Sequence, residues 1–241
     1  MGEIRTEEYY IASIDLLGAK EMISKDTDDK RLNEIRNIYT SWKSVKGDSY
    51  FAALKIKFFS DNVVVAVKTS NSGKDEADVF LEFTAYMAEH LLKCNYKPRG
   101  GICKGQLYID DVFVWGKGLV DAYMMESAEA DYPRIIIAPE VVDGASKHLK
   151  DAMIEEDTDG KFILNYLKSF GKSKNSWIRD ITEEYASISA EIEAFQQAHE
   201  ETEDLKKSPE CEKVTKKDKI LKKLLWLQAF EKRNLEFWNH Q

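Results

Sequence analysis

The chain has few cysteines. Cys94, Cys103 and Cys211 are three in 241 residues, at unrelated spacings. An odd, scattered set excludes a disulfide framework and a cysteine-based zinc site, and fits reduced thiols. Histidines are equally sparse: His90, His148, His199 and His240 stand far apart with no glutamate at metal-ligand spacing, which excludes a zinc-hydrolase signature. No apolar run approaches the ~18 residues of a membrane span, and the acidic, polar N-terminus carries no apolar signal core. A cytoplasmic protein without a membrane partner is expected. Excess positive charge is also missing. The formal net charge of −8 argues against a nucleic-acid binder, because duplex affinity comes mainly from Lys and Arg. Ser13 has no Gly-x-Ser-x-Gly context, Gly100-Gly101 and Gly116-Gly118 form no phosphate-cradling P-loop, and there are no internal repeats.

What is present is enough apolar sequence for a substantial core, in one ordinary domain plus an appendage. Tyr9 to Ile14 is a short run of aromatic and β-branched residues that predicts a buried strand. Leu32, Ile35, Ile38, Tyr39 and Trp42 share one face of a helix. Phe51 to Phe59 and Val63 to Val67 read as two strands joined by Ser60-Asp61-Asn62, a tight-turn composition. Val79, Phe80, Phe83, Met87 and Leu91 stripe a second helix. Strands follow at Arg99 to Tyr108 and Val112 to Trp115, then a helix from Gly118 to about Glu129. A strand at Arg134 to Ala138 leads to a short helix opened by Pro139, and Phe162 to Leu164 adds a last strand. The order β-α-β-β-α-β-β-α-β predicts an α/β (α+β) sandwich, with helices against a mixed, mainly antiparallel sheet.

From about Gly171 strand signals vanish, so the chain divides into a domain over 1–170 and a C-terminal helical extension over 171–241. In the extension, Tyr185, Ile188, Ile192 and Phe195 make a helical stripe. Glu200 to Lys219, with Pro209 inside it, reads as a charged loop or hinge. Leu221 through Trp238 reads as a final helix.

Chemistry concentrates in Ile11-Ala12-Ser13-Ile14-Asp15-Leu16-Leu17-Gly18 and in Lys55-Ile56-Lys57-Phe58-Phe59-Ser60-Asp61. Each places an aspartate where an apolar strand stops. A carboxylate there is costly to desolvate without a cation. Taken singly, Asp15 reads as a helix cap and Asp61 as a turn residue. Taken together they predict a pair that shares two divalent ions, with the Leu16 carbonyl as a further ligand, suited to phosphoryl chemistry on a nucleoside triphosphate.

With these segments in place the chain resembles the class III nucleotidyl cyclases. The resemblance runs from about residue 8 to 165. It rests on Ile14-Asp15-Leu16-Leu17-Gly18, on the hairpin ending at Asp61, on Arg99-Gly100-Gly101-Ile102-Cys103-Lys104-Gly105, and on Trp115-Gly116 followed by a helix ending in Glu126-Ser127. Within that family, Arg99-Gly100-Gly101-Ile102, Gly118 through Tyr123, Tyr132-Pro133-Arg134-Ile135 and the Trp-containing final helix look most like the pyrimidine cyclases of Pycsar antiphage defence.

The resemblance implies a cyclase-like βαββαβ core and two Mn²⁺ or Mg²⁺ ions. It also implies a head-to-tail homodimer with sites at the subunit interface, and conversion of UTP, or alternatively CTP, to the cyclic monophosphate and pyrophosphate. Two departures stand out. The family's ribose-orienting Asn and transition-state Arg correspond to Val120 and Met124, so Arg99, Lys104, Arg134 or, after Asp159-Gly160, Lys161 is expected to supply the missing positive charge. The base-reading positions correspond to Lys57 and Phe113, with Tyr50 nearby; each also reads as ordinary strand or core. A catalytically silent nucleotide-binding module, and a polymerase-palm-like nucleotidyltransferase, are the rival readings.

Overall fold

Tyr9 to Ile14 forms the buried centre of strand β1 (Glu7–Leu16). A continuous apolar run suits a strand covered on both faces, and β1 has a long neighbour on each side. The structure, a computed structural model, describes residues 4–45, 49–70, 74–168 and 209–239 together with Ala186 and Ala190. The chain divides into two compact units, Met1–Gly171 and Lys172–Gln241.

In the first unit β1 leads through Gly18, left-handed at φ 83°, into helices α1 (Ala19–Lys25) and α2 (Lys30–Val45). The hairpin β2 (Lys55–Phe59) and β3 (Asn62–Lys68) closes on Ser60-Asp61, with Ser60 in the left-handed region at φ 56°. Helix α3 (Lys74–Lys93) follows, then β4 (Pro98–Ile109) and the two-residue β5 (Val114–Trp115). Helix α4 (Lys117–Met124) runs directly into a π-turn over Met125–Glu129. Strand β6 (Ile135–Ile137), helices α5 (Pro139–Gly144) and α6 (Lys147–Met153), and the hairpin β7 (Ile154–Glu156) and β8 (Phe162–Leu164) complete it. The sheet order is β2-β3-β1-β4-β6-β8-β7, with β5 paired to the end of β4. Among the described residues only β4 and β6 pair in parallel; the other pairs are antiparallel. This is the expected mixed, mainly antiparallel α+β architecture, with Ile11, Ile14, Trp42, Phe80, Phe83 and Met87 fully buried in its core. None of the described helices is long and apolar enough to cross a membrane.

Several elements differ from the sequence expectation. Ser49–Phe51 is a 3₁₀ turn, so β2 starts at Lys55 rather than Phe51. β5 begins only at Val114 because the Asp110 carboxylate accepts the backbone N–H groups of Val112 and Phe113 and curls that segment. Helix α6 and strand β7 were not anticipated. In the second unit, Pro209–Asn239 is one helix, α7. Pro209 opens it instead of sitting in a loop, since the first helical N–H has no intrahelical partner to lose. The stripe from Tyr185 to Phe195 lies outside the described residues. Leu224, Leu227, Phe230, Glu231 and Asn234 of α7 are buried.

Arg99 and Gly101 stand on the same face of β4, two residues apart. A Cβ on Gly101 would strike the Ala122 carbonyl oxygen, approach Met125 Cβ to 2.5 Å and approach Glu126 N to 2.9 Å. The end of α4 and the π-turn are therefore pressed onto this face of β4. Gly101→Ala is expected to destabilise the protein by about 3 kcal/mol through overpacking, seen as a lower urea midpoint.

Burial pushes the Glu231 carboxyl from its ordinary 4.5 to about 8, and its Oε1 has no hydrogen-bond partner among the described residues. Between these two values the folded chain holds a proton that the unfolded chain has released, so stability falls as pH rises through that window. Glu231→Gln is expected to remove this component of the slope. Urea denaturation at a series of pH values checks it.

Candidate active site

Antiparallel register places Asp15 of β1 directly opposite Arg99 of β4. The Arg99 Nη2 lies 2.8 Å from Asp15 Oδ2 and 2.6 Å from Glu126 Oε1. Glu126 comes from the π-turn and is 1% exposed. Asp61, half-buried in the turn of the β2–β3 hairpin, is close enough for its carboxyl to interact directly with that of Asp15. β3 and β1 are neighbours in the sheet, which brings the hairpin turn to the C-terminal end of β1.

The electrostatics follow from this convergence. Burial pushes the Asp15 carboxyl above the usual range, Arg99 pulls it back, and the like charge of Asp61 adds to the rise. Burial raises Glu126 to about 7, against the pull of Arg99 and with added repulsion from Asp15 and Asp61. Tyr39 of α2 is buried and stacked on Phe58 of β2, with ring centroids 4.4 Å apart. Its hydroxyl has no hydrogen-bond partner among the described residues, and burial raises its pKa with further contributions from Asp61 and Asp15. Beside the pair lies a cleft of about 290 Å³, between the end of β1, helices α1 and α2 and the hairpin turn; Leu16, Met22, Ile23, Leu32, Ile35 and Asp61 help to line it.

The donor set fits a divalent cation of the hard, oxygen-seeking kind. Two carboxylates converge, the charge of Asp61 adds to the raised proton affinity of Asp15, and the Arg99 guanidinium lies against Asp15 as a local counter-ion. No cluster of three or more His, Cys, Asp or Glu forms a ready cage among the described residues.

The remaining candidates are dispersed. Leu16 lines the cleft. Lys104 pairs with Glu8 at 2.7 Å and stands five register positions from Asp15 along β1 and β4, roughly 17 Å at strand rise. Arg134, expected as a counter-charge, is 3% exposed and is engaged by Asp157 at 2.6 Å, by Asp159 at 2.7 Å and by the Glu129 carbonyl. It is an internal ion network: both terminal nitrogens are engaged, and Nε, without a hydrogen-bond partner among the described residues, is buried away from any phosphate in solvent. The Tyr50 hydroxyl donates to Glu82 of α3 at 2.8 Å. Lys57 is half-buried on β2 and contributes to the field that lowers the Asp110 pKa. Phe113 packs on Tyr108 with ring centroids 5.2 Å apart and is 45% exposed. Val120, Tyr123 and Met124 share one face of α4 and are all more than half exposed.

Glu126 and Tyr39 are the site residues that the sequence did not single out. Glu126 was visible only as part of Glu126-Ser127, and its inward aim depends on a π-turn with no sequence period. Tyr39 was legible as a core-facing helix residue, not as a neighbour of two aspartates.

No family model matches the sequence, and no curated protein matches it. Solved structures do share its fold. The adenylyl cyclase CyaB from P. aeruginosa aligns with a TM-score of 0.51 at 16% identity, over 68% of this chain and 95% of that one. The monomeric guanylyl cyclase domain of the RhoGC fusion protein from the aquatic fungus Blastocladiella emersonii aligns at 0.52 and 12% identity, over 67% and 98%. A dimeric form of that guanylyl cyclase domain aligns at 0.50 and 13% identity, over 68% and 96%. The fold is that of the class III nucleotidyl cyclase domains.

Removing a buried, unpartnered hydroxyl relieves a desolvation penalty. Tyr39→Phe is therefore expected to stabilise the metal-free protein by about 1 kcal/mol, read from urea denaturation. A loss of stability would show that the hydroxyl is satisfied.

Proposed function

We propose that the first unit is a divalent-metal-dependent nucleotidyl cyclase acting on a pyrimidine triphosphate, with UTP the preferred substrate and cyclic UMP and pyrophosphate the products. The observation that carries the reading is the convergence of Asp15 and Asp61 at the end of β1, within a cyclase fold. Asp15 and Asp61, with the Leu16 carbonyl, would hold Mn²⁺ or Mg²⁺. Such ions, when bound, neutralise the triphosphate and favour attack of the ribose 3′-hydroxyl on the α-phosphate. Of the arginines considered, Arg99 is the one beside the aspartates, so it is the cation best placed to balance developing charge. Lys57, Phe113 and Tyr50 remain the proposed base-facing set, and Lys104 would act only on a substrate extending along β4.

Formation of a homodimer with sites between subunits is part of the proposal. The exposed apolar face of α4, together with Trp115 at 71% exposure, supports it, since a monomer has little reason to leave such a cluster in water. The sequence resemblance to Pycsar enzymes supports a cytoplasmic role in antiphage signalling, with cyclic CMP as the alternative product.

One observation favours a second reading. Val120 and Met124 are apolar and solvent-facing on α4, so neither supplies a hydrogen bond to ribose or phosphate. That suits a silent nucleotide-binding module acting on a partner through the C-terminal extension.

Incubation of the full chain with each of the four nucleoside triphosphates and Mn²⁺, followed by mass spectrometry, is expected to yield a cyclic pyrimidine monophosphate. Asp61→Ala is expected to reduce turnover by at least about 100-fold. Absence of cyclic product, or an unaffected Asp61→Ala, refutes the catalytic reading. Triphosphate binding by calorimetry without turnover establishes the silent one.

A further inference from the structure

Arg99 meets two acids with a single nitrogen. Its Nη2 lies between Asp15 Oδ2, at 2.8 Å, and Glu126 Oε1, at 2.6 Å. This is not the two-nitrogen fork in which arginine binds a carboxylate most strongly. Nε has no hydrogen-bond partner among the described residues, and Glu126 Oε1 meets Nη2 as a charge contact without hydrogen-bond geometry. The guanidinium is thus suspended between an expected cation ligand and a buried carboxylate behind it. The backbone explains why the second acid is there. Gly101 and Arg99 share a face of β4, and the missing Cβ of Gly101 lets the π-turn settle onto that face, which delivers Glu126 to the guanidinium.

A divalent ion arriving at Asp15 meets the positive charge of Arg99 on the same carboxylate, and the two repel. A route of retreat already exists, because the same nitrogen touches Glu126. We infer that Glu126 is a positioning residue that receives the Arg99 guanidinium as a divalent cation takes Asp15, so that cation binding and movement of Arg99 are one coupled event. The inference rests on the metal reading above. It adds that the site carries its own competing cation and a carboxylate to take that cation up.

The test is titration of the full chain with Mn²⁺ alone, following free Mn²⁺ by electron paramagnetic resonance, with no nucleotide and no turnover. In Glu126→Gln the guanidinium has Asp15 as its sole ionised partner in the site, and Mn²⁺ affinity is expected to fall roughly tenfold. In the double variant Arg99→Met, Glu126→Gln the competitor is gone, and affinity is expected to rise several-fold above wild type. The double change removes one charge of each sign, so long-range electrostatics alone would leave it at the wild-type value, and a purely architectural role would weaken or spare both variants. Circular dichroism confirms that each is folded; neutralising both members of a buried pair is the tolerated change if Glu126→Gln alone is not. If the double variant binds no more tightly than wild type, the inference is overturned. If wild type binds no Mn²⁺, the metal reading falls and the inference falls with it; wild-type binding with an unaltered double variant sinks the inference alone.

Discussion

Asp15 stands half-buried at the end of the pairing between β1 and β4, and it can do so because Arg99 faces it in register across the two strands. A half-buried carboxylate needs a cation nearby or it takes up a proton. Arg99 supplies that charge in the metal-free protein while also neutralising Glu126, and the arrangement is economical: three carboxylates and one guanidinium leave a site still deficient in positive charge. That deficit is what gives the end of β1 its chemical character. The apolar strands on either side exist, in effect, to hold this imbalance still.

Much of the fold was legible because its elements follow simple periods. β1 announces itself as an unbroken apolar run, α3 as a stripe from Val79 to Leu91, and the β2–β3 hairpin as two strands around Ser60-Asp61-Asn62. What escaped notice has a physical reason in each case. Phe51 to Leu54 is apolar enough for a strand but turns through a 3₁₀ segment, and Leu54 is buried without sheet pairing. Pro209 within a charged stretch reads locally as loop, although at a helix start it breaks nothing. The short β7 depends on pairing with β8, a non-local contact that local pattern cannot register.

The site divides along the same line. Asp15 and Asp61 were visible because each ends an apolar strand, and the two strands they end turn out to be joined through β3. The cations were harder. Arg99, Lys104 and Arg134 look alike in sequence, each a single positive charge on a strand, and only tertiary packing separates them. Arg99 faces Asp15, Lys104 sits opposite Tyr10 farther along the same strand pair, and Arg134 is enclosed by Asp157 and Asp159. A fold shared with adenylyl and guanylyl cyclases at such low identity fixes none of these roles, since function resides in the side chains a scaffold carries. The exposed Val120 and Met124 make the same point from the other side: a helix placed by the fold can present an apolar surface where a phosphate site would need donors.

The two-residue connection at Ser60-Asp61 has a consequence for how this sequence can diverge. With Phe59 paired to Asn62, there is no slack in the loop. An insertion or deletion of one residue would slip one strand against the other and exchange its inward and outward side chains. It would also carry the Asp61 carboxylate off its heading. Composition along β2 and β3 is free to drift within the limits of packing, but length is not. Among descendants that retain the chemistry, the spacing between Phe58 and Asp61 should therefore be more durable than the identity of almost any residue around it.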